Sequence, residues 1–177
     1  MGYGYVYPNV FYGVDPNMRG SSFVDLPKRV TEVGPLSLKY DVSLDASTDM
    51  NGMFQLLHEA WFVSSLPASY ENIVMEMGIT TMQRHYWYPA PVDSVVIDNV
   101  LYDVMPSAPW YSGQPRVNLW FVTREDHLSG TIDFPKFIDY VVRHGYLAPT
   151  AYLSVVQTGH EIFYGRGQST ITMKVNR

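Results

Sequence analysis

The sequence predicts an all-β protein, a jelly-roll β-sandwich with one α-helix at about residues 133–144. Glycines and prolines punctuate the chain roughly every ten to fifteen residues, and the runs between them are rich in β-branched and aromatic side chains. Several of these runs alternate between apolar and polar residues, as half-buried strands do. The 177 residues can bury a core without disulfides, so we expect a single domain covering residues 1–177.

Eight runs are predicted as strands. Leu36–Leu44 alternates most clearly, because Leu38 and Tyr40 share one face while Lys39 and Asp41 lie on the other. The apolar face of this strand is expected to pack on the core. The predicted strands are Val6–Tyr12, Leu36–Leu44, Leu56–Val63, Asn72–Thr81, Ser94–Val104, Val117–Thr123, Tyr152–Tyr164 and Ser169–Val175.

One segment follows the helical period instead. Apolar residues at 134, 137, 138, 141 and 142 recur as on one face of a helix. Asp133 is expected to cap the first turn, Pro135 fits within that turn, and Gly145 is expected to end the helix.

Composition excludes several classes of function. A net charge of -5 and scattered basic residues give phosphate backbones no general attraction, so no nucleic acid partner is expected. No apolar run approaches the roughly 18 residues of a spanning helix, and no membrane association is expected. Without cysteine, and without ligand-like spacing among the five histidines, no metal site is predicted. Residues 1–5 have neither the positive start nor the apolar centre of a signal peptide.

The aromatic content of 15%, with fourteen tyrosines and four tryptophans, exceeds what a small core requires. Partly exposed rings stack on sugar faces, which makes carbohydrate an expected ligand; a tyrosine-rich sheet surface is the alternative. Tyr86 and Trp87, in an aromatic loop, and Trp110 are candidates for sugar stacking, although loop packing would also account for them.

Three predicted strands each carry one glutamate among small or aromatic residues. Glu59 shares its face with Trp61, Glu76 with Gly78, and Glu161 with Gln157 and Gly159.

Gly159 is expected to leave a floor on which a ligand lies close to the backbone. Two carboxyl groups across a cleft are what glycoside hydrolysis requires, one as the acid and one as the nucleophile or base. The alternative for any one of these glutamates is a solvated outer face.

At these residues the chain resembles glycoside hydrolase family 12. Ile132–Gly145 followed by Ala148–Gly165, which contains Gln-Thr-Gly-His-Glu, is similar to the helix and the Gln-x-Gly-x-Glu strand of that family. Val6–Gly13 resembles its Tyr-Pro-x-Ile-Phe strand, and Leu57–Phe62 its Tyr-Asp/Glu-x-Trp strand. The resemblance implies a secreted jelly-roll endo-β-1,4-glucanase or xyloglucanase. It implies that Glu161 is the general acid/base and that Glu59 is the carboxylate that orients the nucleophile.

The nucleophile motif of the family, Glu-Ile-Met-Ile-Trp-Leu, has no direct counterpart. Aligned without a gap, it places Asn72 at the nucleophile, and the neighbouring Glu71 would point into the core. Spacing favours Glu76, which lies fifteen residues after Trp61 and thirteen before Pro89. Glu76, Glu71 and loss of the nucleophile at Asn72 therefore remain open at this point.

With Glu76 as nucleophile, Gly78 and Thr80 replace bulkier side chains, and the pocket is expected to be wider and less aromatic. Family members usually carry about fifty more residues, so some strands are expected to be missing here. An exposed sheet edge would then favour self-association.

The first hypothesis is a retaining β-glycanase that needs no cofactor and acts on a β-linked glucan. Its catalytic residues are Glu76, Glu161 and Glu59; its substrate contacts are Trp61, Gln157, Tyr86, Trp87 and Trp110. The carboxyl groups of Glu76 and Glu161 should face each other about 5 to 6 Å apart, with the shared proton mainly on Glu161. A non-catalytic glycan-binding jelly roll is the second hypothesis, and an unrelated β-sandwich interaction domain is the third.

Overall fold

The computed structural model describes residues 7–16, 25–45, 48–84, 88–107, 116–165 and 169–177, and it confirms the predicted all-β fold. The strands are β1 (Asn9–Gly13), β2 (Lys28–Arg29), β3 (Ser37–Leu44), β4 (Met53–Val63), β5 (Ile73–Arg84), β6 (Asp93–Ile97), β7 (Val100–Ser107), β8 (Val117–Thr123), β9 (Ser129–Asp133), β10 (Tyr152–Tyr164) and β11 (Ser169–Asn176). The helix α1 spans Phe134–Arg143. Across these described ranges, no helix has both the length and the apolar character needed to cross a bilayer.

Two sheets form a sandwich. In the large sheet the strand order is β1-β10-β4-β5-β8-β7-β6, and β2 pairs with a separate stretch of β10. Its neighbouring strands are antiparallel except for β5 and β8, which run parallel. The small sheet has the order β11-β3-β9. The order of the large sheet places β4 between β10 and β5, and these are the three strands on which the glutamates were identified.

The core lies on one face of the large sheet and is covered by the small sheet and by α1. The ring of Phe121 on β8 packs edge-on against Phe137 and Tyr140 of α1, with centroid distances of 5.1 and 5.3 Å. Leu38 and Tyr40 of β3 are buried, as the alternation predicts. Aromatic side chains of the helix and of the sheet therefore join the two layers.

The ends of α1 agree with the prediction, with one correction. Gly145 has a φ of +74°, the left-handed conformation that ends many helices. Asp133 is the N-cap residue, but its side chain makes no capping hydrogen bond. Its carboxylate instead pairs with Lys136 at 3.2 Å.

The sequence interpretation was wrong where it joined two strands into one. Ser94–Val104 contains the β6–β7 hairpin, whose turn residues Asp98 and Asn99 have φ angles of 51° and 64°. Two consecutive residues with positive φ are the mark of a tight hairpin turn that favours Asp and Asn. The short strands β2 and β9 were missed, because β2 has no apolar residue and β9 has only Ile132, so neither shows an alternating pattern.

A buried histidine links the three central strands on the core side. His58 of β4 contacts the hydroxyl of Thr158 on β10 at 2.7 Å and that of Thr81 on β5 at 3.1 Å. Complete burial, aided by the nearby His160, lowers the pKa of His58 to about 3, so the ring is neutral at ordinary pH. Two hydroxyl partners satisfy both ring nitrogens, which holds β10, β4 and β5 in register.

The glycines expected to open the cleft are instead covered by protein. A Cβ on Gly78 would lie 1.7 Å from Cε3 of Trp120, so the indole rests directly on the glycine. A Cβ on Gly159 would lie 2.2 Å from the carbonyl oxygen of Pro8. The expectation of a wider, less aromatic pocket at Gly78 is therefore wrong, because an indole from β8 occupies that space. The expectation of an open floor at Gly159 is wrong too.

Replacing Gly78 with alanine should destabilise the protein by about 1 to 3 kcal/mol, because the buried Trp120 ring must move. Urea denaturation would measure the change. Gly34→Ala is the matched control, since no atom lies within 4 Å of the added carbon, and it should be neutral or stabilising by up to about 1 kcal/mol. Equal stabilities for the two variants would contradict the contact.

Candidate active site

Three buried glutamates lie on the face of the large sheet opposite the core, here called the carboxyl face. Glu59 on β4, Glu76 on β5 and Glu161 on β10 are 3%, 7% and 6% exposed. Strand pairing sets their places: Glu59 stands between Gln157 and Gly78, and Trp61 stands beside Glu76. The structure thus brings together the three carboxyl groups that the sequence singled out.

Glu59 and Glu76 form a hydrogen-bonded carboxyl pair in which Glu59 donates and Glu76 accepts. Burial, and then the charge of Glu76, raise the pKa of Glu59 well above its usual value. Burial also raises the pKa of Glu76, but the hydrogen bond from Glu59 and the charge of Arg116 oppose that rise. Glu59 therefore holds the proton of the pair more strongly than Glu76 does.

Neutral groups hold Glu59 in place. Gln157 donates from Nε2 to Oε2 of Glu59 at 2.5 Å, and Asn9 donates from Nδ2 to Oε1 of Gln157 at 2.8 Å. The hydroxyl of Tyr7 lies near Glu59 and lowers the pKa of that carboxyl group. Because both ends of its amide are engaged within the protein, Gln157 orients Glu59. The expected contact between Gln157 and substrate stays a prediction.

Arg116 is a site residue that the sequence analysis missed. Its Nη2 lies 3.5 Å from Oε2 of Glu76, and the two side chains are only 3% and 9% exposed. The guanidinium also lies 5.7 Å from the centroid of the Trp61 ring. Arg116 just precedes β8, and only the parallel pairing of β8 with β5 brings it beside Glu76. No local pattern in the sequence marks it.

Glu161 has its own set of partners. Nε2 of the fully buried Gln55 donates to Oε2 of Glu161. The other end of that amide, Oε1, accepts from the hydroxyl of Tyr88 and, at 2.8 Å, from the hydroxyl of Thr80. Two hydroxyl donors on the carbonyl fix the orientation of the Gln55 amide, so that its N–H group faces Glu161.

Glu161 also acts on Glu76 through space. Its charge is among the causes that raise the pKa of Glu76, which requires the two carboxyl groups to lie near each other on the carboxyl face. Within the described residues, no three His, Asp or Glu side chains are grouped so as to hold a metal ion.

The alternatives to Glu76 lie elsewhere. Asn72 belongs to the turn Tyr70–Asn72, where its amide donates to the carbonyl oxygens of Ser65 at 3.0 Å and Pro67 at 2.9 Å. Glu71, in the same turn, is exposed, so the expectation that it would point into the core is wrong. Neither side chain reaches the carboxyl face.

The aromatic candidates divide into two groups. Trp61 lies on the carboxyl face with its ring partly exposed, as a sugar-stacking residue requires. Tyr86, Trp87 and Trp110 lie outside the described residues.

Comparison with solved structures identifies the fold, whereas comparison of the sequence with known families and proteins finds no match. No protein-family model matches the sequence, and no curated protein matches it. Among solved structures, an endoglucanase from Rhodothermus marinus superposes with a TM-score of 0.80 at 22% identity, covering 96% of this chain and 74% of the other. A family 12 xyloglucanase from Bacillus licheniformis gives 0.79 and 22%, with the same coverage. A family 12 endoglucanase from Trichoderma harzianum gives 0.76 and 18%, covering 96% and 71%. The fold is therefore that of family 12 glycoside hydrolases.

Replacing Glu59 with glutamine should alter the pH dependence of stability. The folded protein keeps a proton on Glu59 at pH values where the unfolded chain, with a glutamate pKa near 4.3, has released it. The contribution of Glu59 to the free energy of unfolding must then fall as pH rises above that value, by up to about 1.4 kcal/mol per pH unit.

Glu59→Gln removes this dependence and keeps an N–H donor for Glu76. Its stability relative to the wild type should therefore increase with pH, as measured by urea denaturation at about pH 5, 6.5 and 8. Glu32→Gln, at an exposed position, is the control and should follow the wild type. A difference between Glu59→Gln and the wild type that does not change with pH would mean that Glu59 is ionised in the fold.

Proposed function

We propose that this chain, which has the fold of family 12 glycoside hydrolases, is a retaining β-glycanase that cleaves a β-1,4-linked glucan. One observation carries the proposal: three buried carboxyl groups share one face of the sheet, and hydrogen bonds and ion pairing make them chemically unequal. Retaining hydrolysis needs one ionised carboxyl group to attack the sugar and a second one to protonate the leaving oxygen. The contacts of Glu76 favour its ionised form, and Glu161, held by its own hydrogen-bond partner on the same face, is the candidate for the second.

Glu76 is the nucleophile in this proposal. It accepts a hydrogen bond from Glu59 and pairs with Arg116, and both contacts favour its ionised form. Its oxygen attacks the anomeric carbon, the glycosidic bond breaks, and a covalent glycosyl-enzyme forms. The hydrogen bond from Glu59 fixes the orientation of the Glu76 carboxylate, and a nucleophile held in the right orientation attacks faster.

Glu161 is the acid and then the base. It protonates the departing glycosidic oxygen, and it later removes a proton from the water that hydrolyses the glycosyl-enzyme. The amide of Gln55 occupies Oε2 of Glu161, so the proton to be transferred is expected on Oε1. No cofactor enters the scheme, because carboxyl groups balance the positive charge of the transition state.

The substrate class follows from the fold neighbours and from Trp61. The neighbours include endoglucanases and a xyloglucanase, so cellulose-type β-glucan and xyloglucan are the substrates to test first. Trp61 stands directly beside Glu76 and can stack on a sugar bound there. Secretion is part of the same proposal, since a polysaccharide of this kind lies outside cells.

Hydrolysis should be detected on barley β-glucan, xyloglucan or carboxymethylcellulose and should fall at least about 100-fold in both Glu76→Gln and Glu161→Gln. Glu32→Gln, the same change at an exposed position, should retain wild-type activity. A 2-deoxy-2-fluoro cellobiosyl fluoride should add one glycosyl mass to the wild type, located on Glu76 by peptide mass spectrometry.

Added azide separates the two roles. With an aryl cellobioside, azide should restore turnover in Glu161→Ala and yield the β-glycosyl azide, because a small anion can replace water without a base. In Glu76→Ala, any azide product should be the α-glycosyl azide, because azide then attacks in place of the missing carboxylate and inverts the anomeric centre once. Glycan binding without sugar release in the wild type would favour the alternative of a non-catalytic glycan-binding jelly roll.

A further inference from the structure

The carboxyl pair of Glu59 and Glu76 raises the question of which glutamate carries the negative charge. Two glutamates that share a hydrogen bond are chemically identical, and the proton between them can reside on either one. Only the ionised member can attack a sugar. Something outside the pair must determine which glutamate carries the charge.

We propose that Arg116 is the positioning residue that places the negative charge on Glu76 and thereby makes Glu76, and not Glu59, the nucleophile. This inference rests on the proposed function of the site. It goes further by giving a role to a buried cation that lies outside all the sequence motifs.

The contacts of the two glutamates differ in charge. Glu76 faces the guanidinium of Arg116 at 3.5 Å, where both side chains are shielded from water. Glu59 faces the amide of Gln157 and the hydroxyl of Tyr7, which are neutral donors. An arginine side chain does not lose its proton in proteins, and a full charge stabilises a buried carboxylate more than neutral donors do.

The other groups facing Glu76 cannot substitute for Arg116. On β10, Glu161 contributes a like charge, and on β4 Glu59 contributes the shared proton. On β5 itself, the next residues on this face are Gly78 and Thr80, which are uncharged. Among the described residues, Arg116 is thus the cation placed against Glu76.

Trp61 holds Arg116 in position. The guanidinium lies 5.7 Å from the centre of the indole, and Trp61 pairs directly with Glu76 across β4 and β5. A planar guanidinium can interact with a ring face and a carboxylate together, which an ammonium does less well. The same indole that is placed to stack on a sugar therefore also orients the cation.

The test compares Arg116→Met and Arg116→Lys with Arg124→Met, a control that removes an exposed arginine just beyond β8. In Arg116→Met the acidic limb, where kcat/KM falls as Glu76 is protonated, should shift to higher pH by about 1 to 3 units, because the nearby positive charge is lost. Arg116→Lys should keep the limb near its wild-type position, and Arg124→Met should not move it. An unmoved limb in Arg116→Met would overturn the inference.

A second readout does not depend on activity. Carboxyl-carbon NMR should show that Glu76 in Arg116→Met titrates at higher pH than in the wild type, whether or not the protein hydrolyses glucan. A wild type that is inactive, with this shift present, would refute the proposed function and leave the role of Arg116 intact. Normal wild-type activity without the shift would refute only the role of Arg116.

If Arg116→Met fails to fold, the double variant Arg116→Met/Glu76→Gln decides the matter. Removing both charges should restore stability relative to Arg116→Met, because the uncompensated buried carboxylate is gone. Strictly additive losses across Arg116→Met, Glu76→Gln and the double variant would overturn the pairing.

Discussion

The hydrogen bond between Glu59 and Glu76 is the constraint around which the carboxyl face is organised. Burying three carboxyl groups on one sheet face is unfavourable unless each has a partner. Two of them share one proton, and the remaining charge of that pair meets Arg116. Glu59 thus acts as a hydrogen-bond donor, and Glu76 forms an ion pair with Arg116. These partners limit which residues can occupy the neighbouring positions on the carboxyl face.

Two hydrogen-bond chains run across the strands, and each ends on the side chain of a glutamate. In one, Asn9 donates to Gln157, Gln157 to Glu59, and Glu59 to Glu76. In the other, the hydroxyls of Thr80 and Tyr88 donate to Gln55, and Gln55 donates to Glu161. Every donor points the same way along its chain, so reversing one amide would leave two acceptors facing each other. The large sheet thus supports the two carboxylates independently.

The sequence predicts those features that depend on neighbours along the chain. The alternation of Leu36–Leu44 and the helical period after Asp133 are local, and both elements are present in the structure. The placement of Arg116 beside Glu76, and of the Trp120 indole on Gly78, depends on the parallel pairing of β5 with β8. Parallel pairing joins strands that are far apart in the chain, and no pattern in one amino-acid sequence shows which strands pair in this way. Gly78 therefore suggested a wider pocket beside Glu76, although the Trp120 indole occupies that space.

The strand order also has a kinetic consequence. Glu59 and Glu76 lie on β4 and β5, which are adjacent in the chain and can pair with little loss of loop entropy. Gln157, which donates to Glu59, is 98 residues from it in the chain. Asn9, which donates to Gln157, is 148 residues from Gln157. Chains dominated by such non-local pairs fold slowly, because the entropy is lost before the contacts are gained. The donors that order the carboxyl face thus come from contacts of large sequence separation, so these glutamates are fully arranged only after β1 and β10 have joined β4.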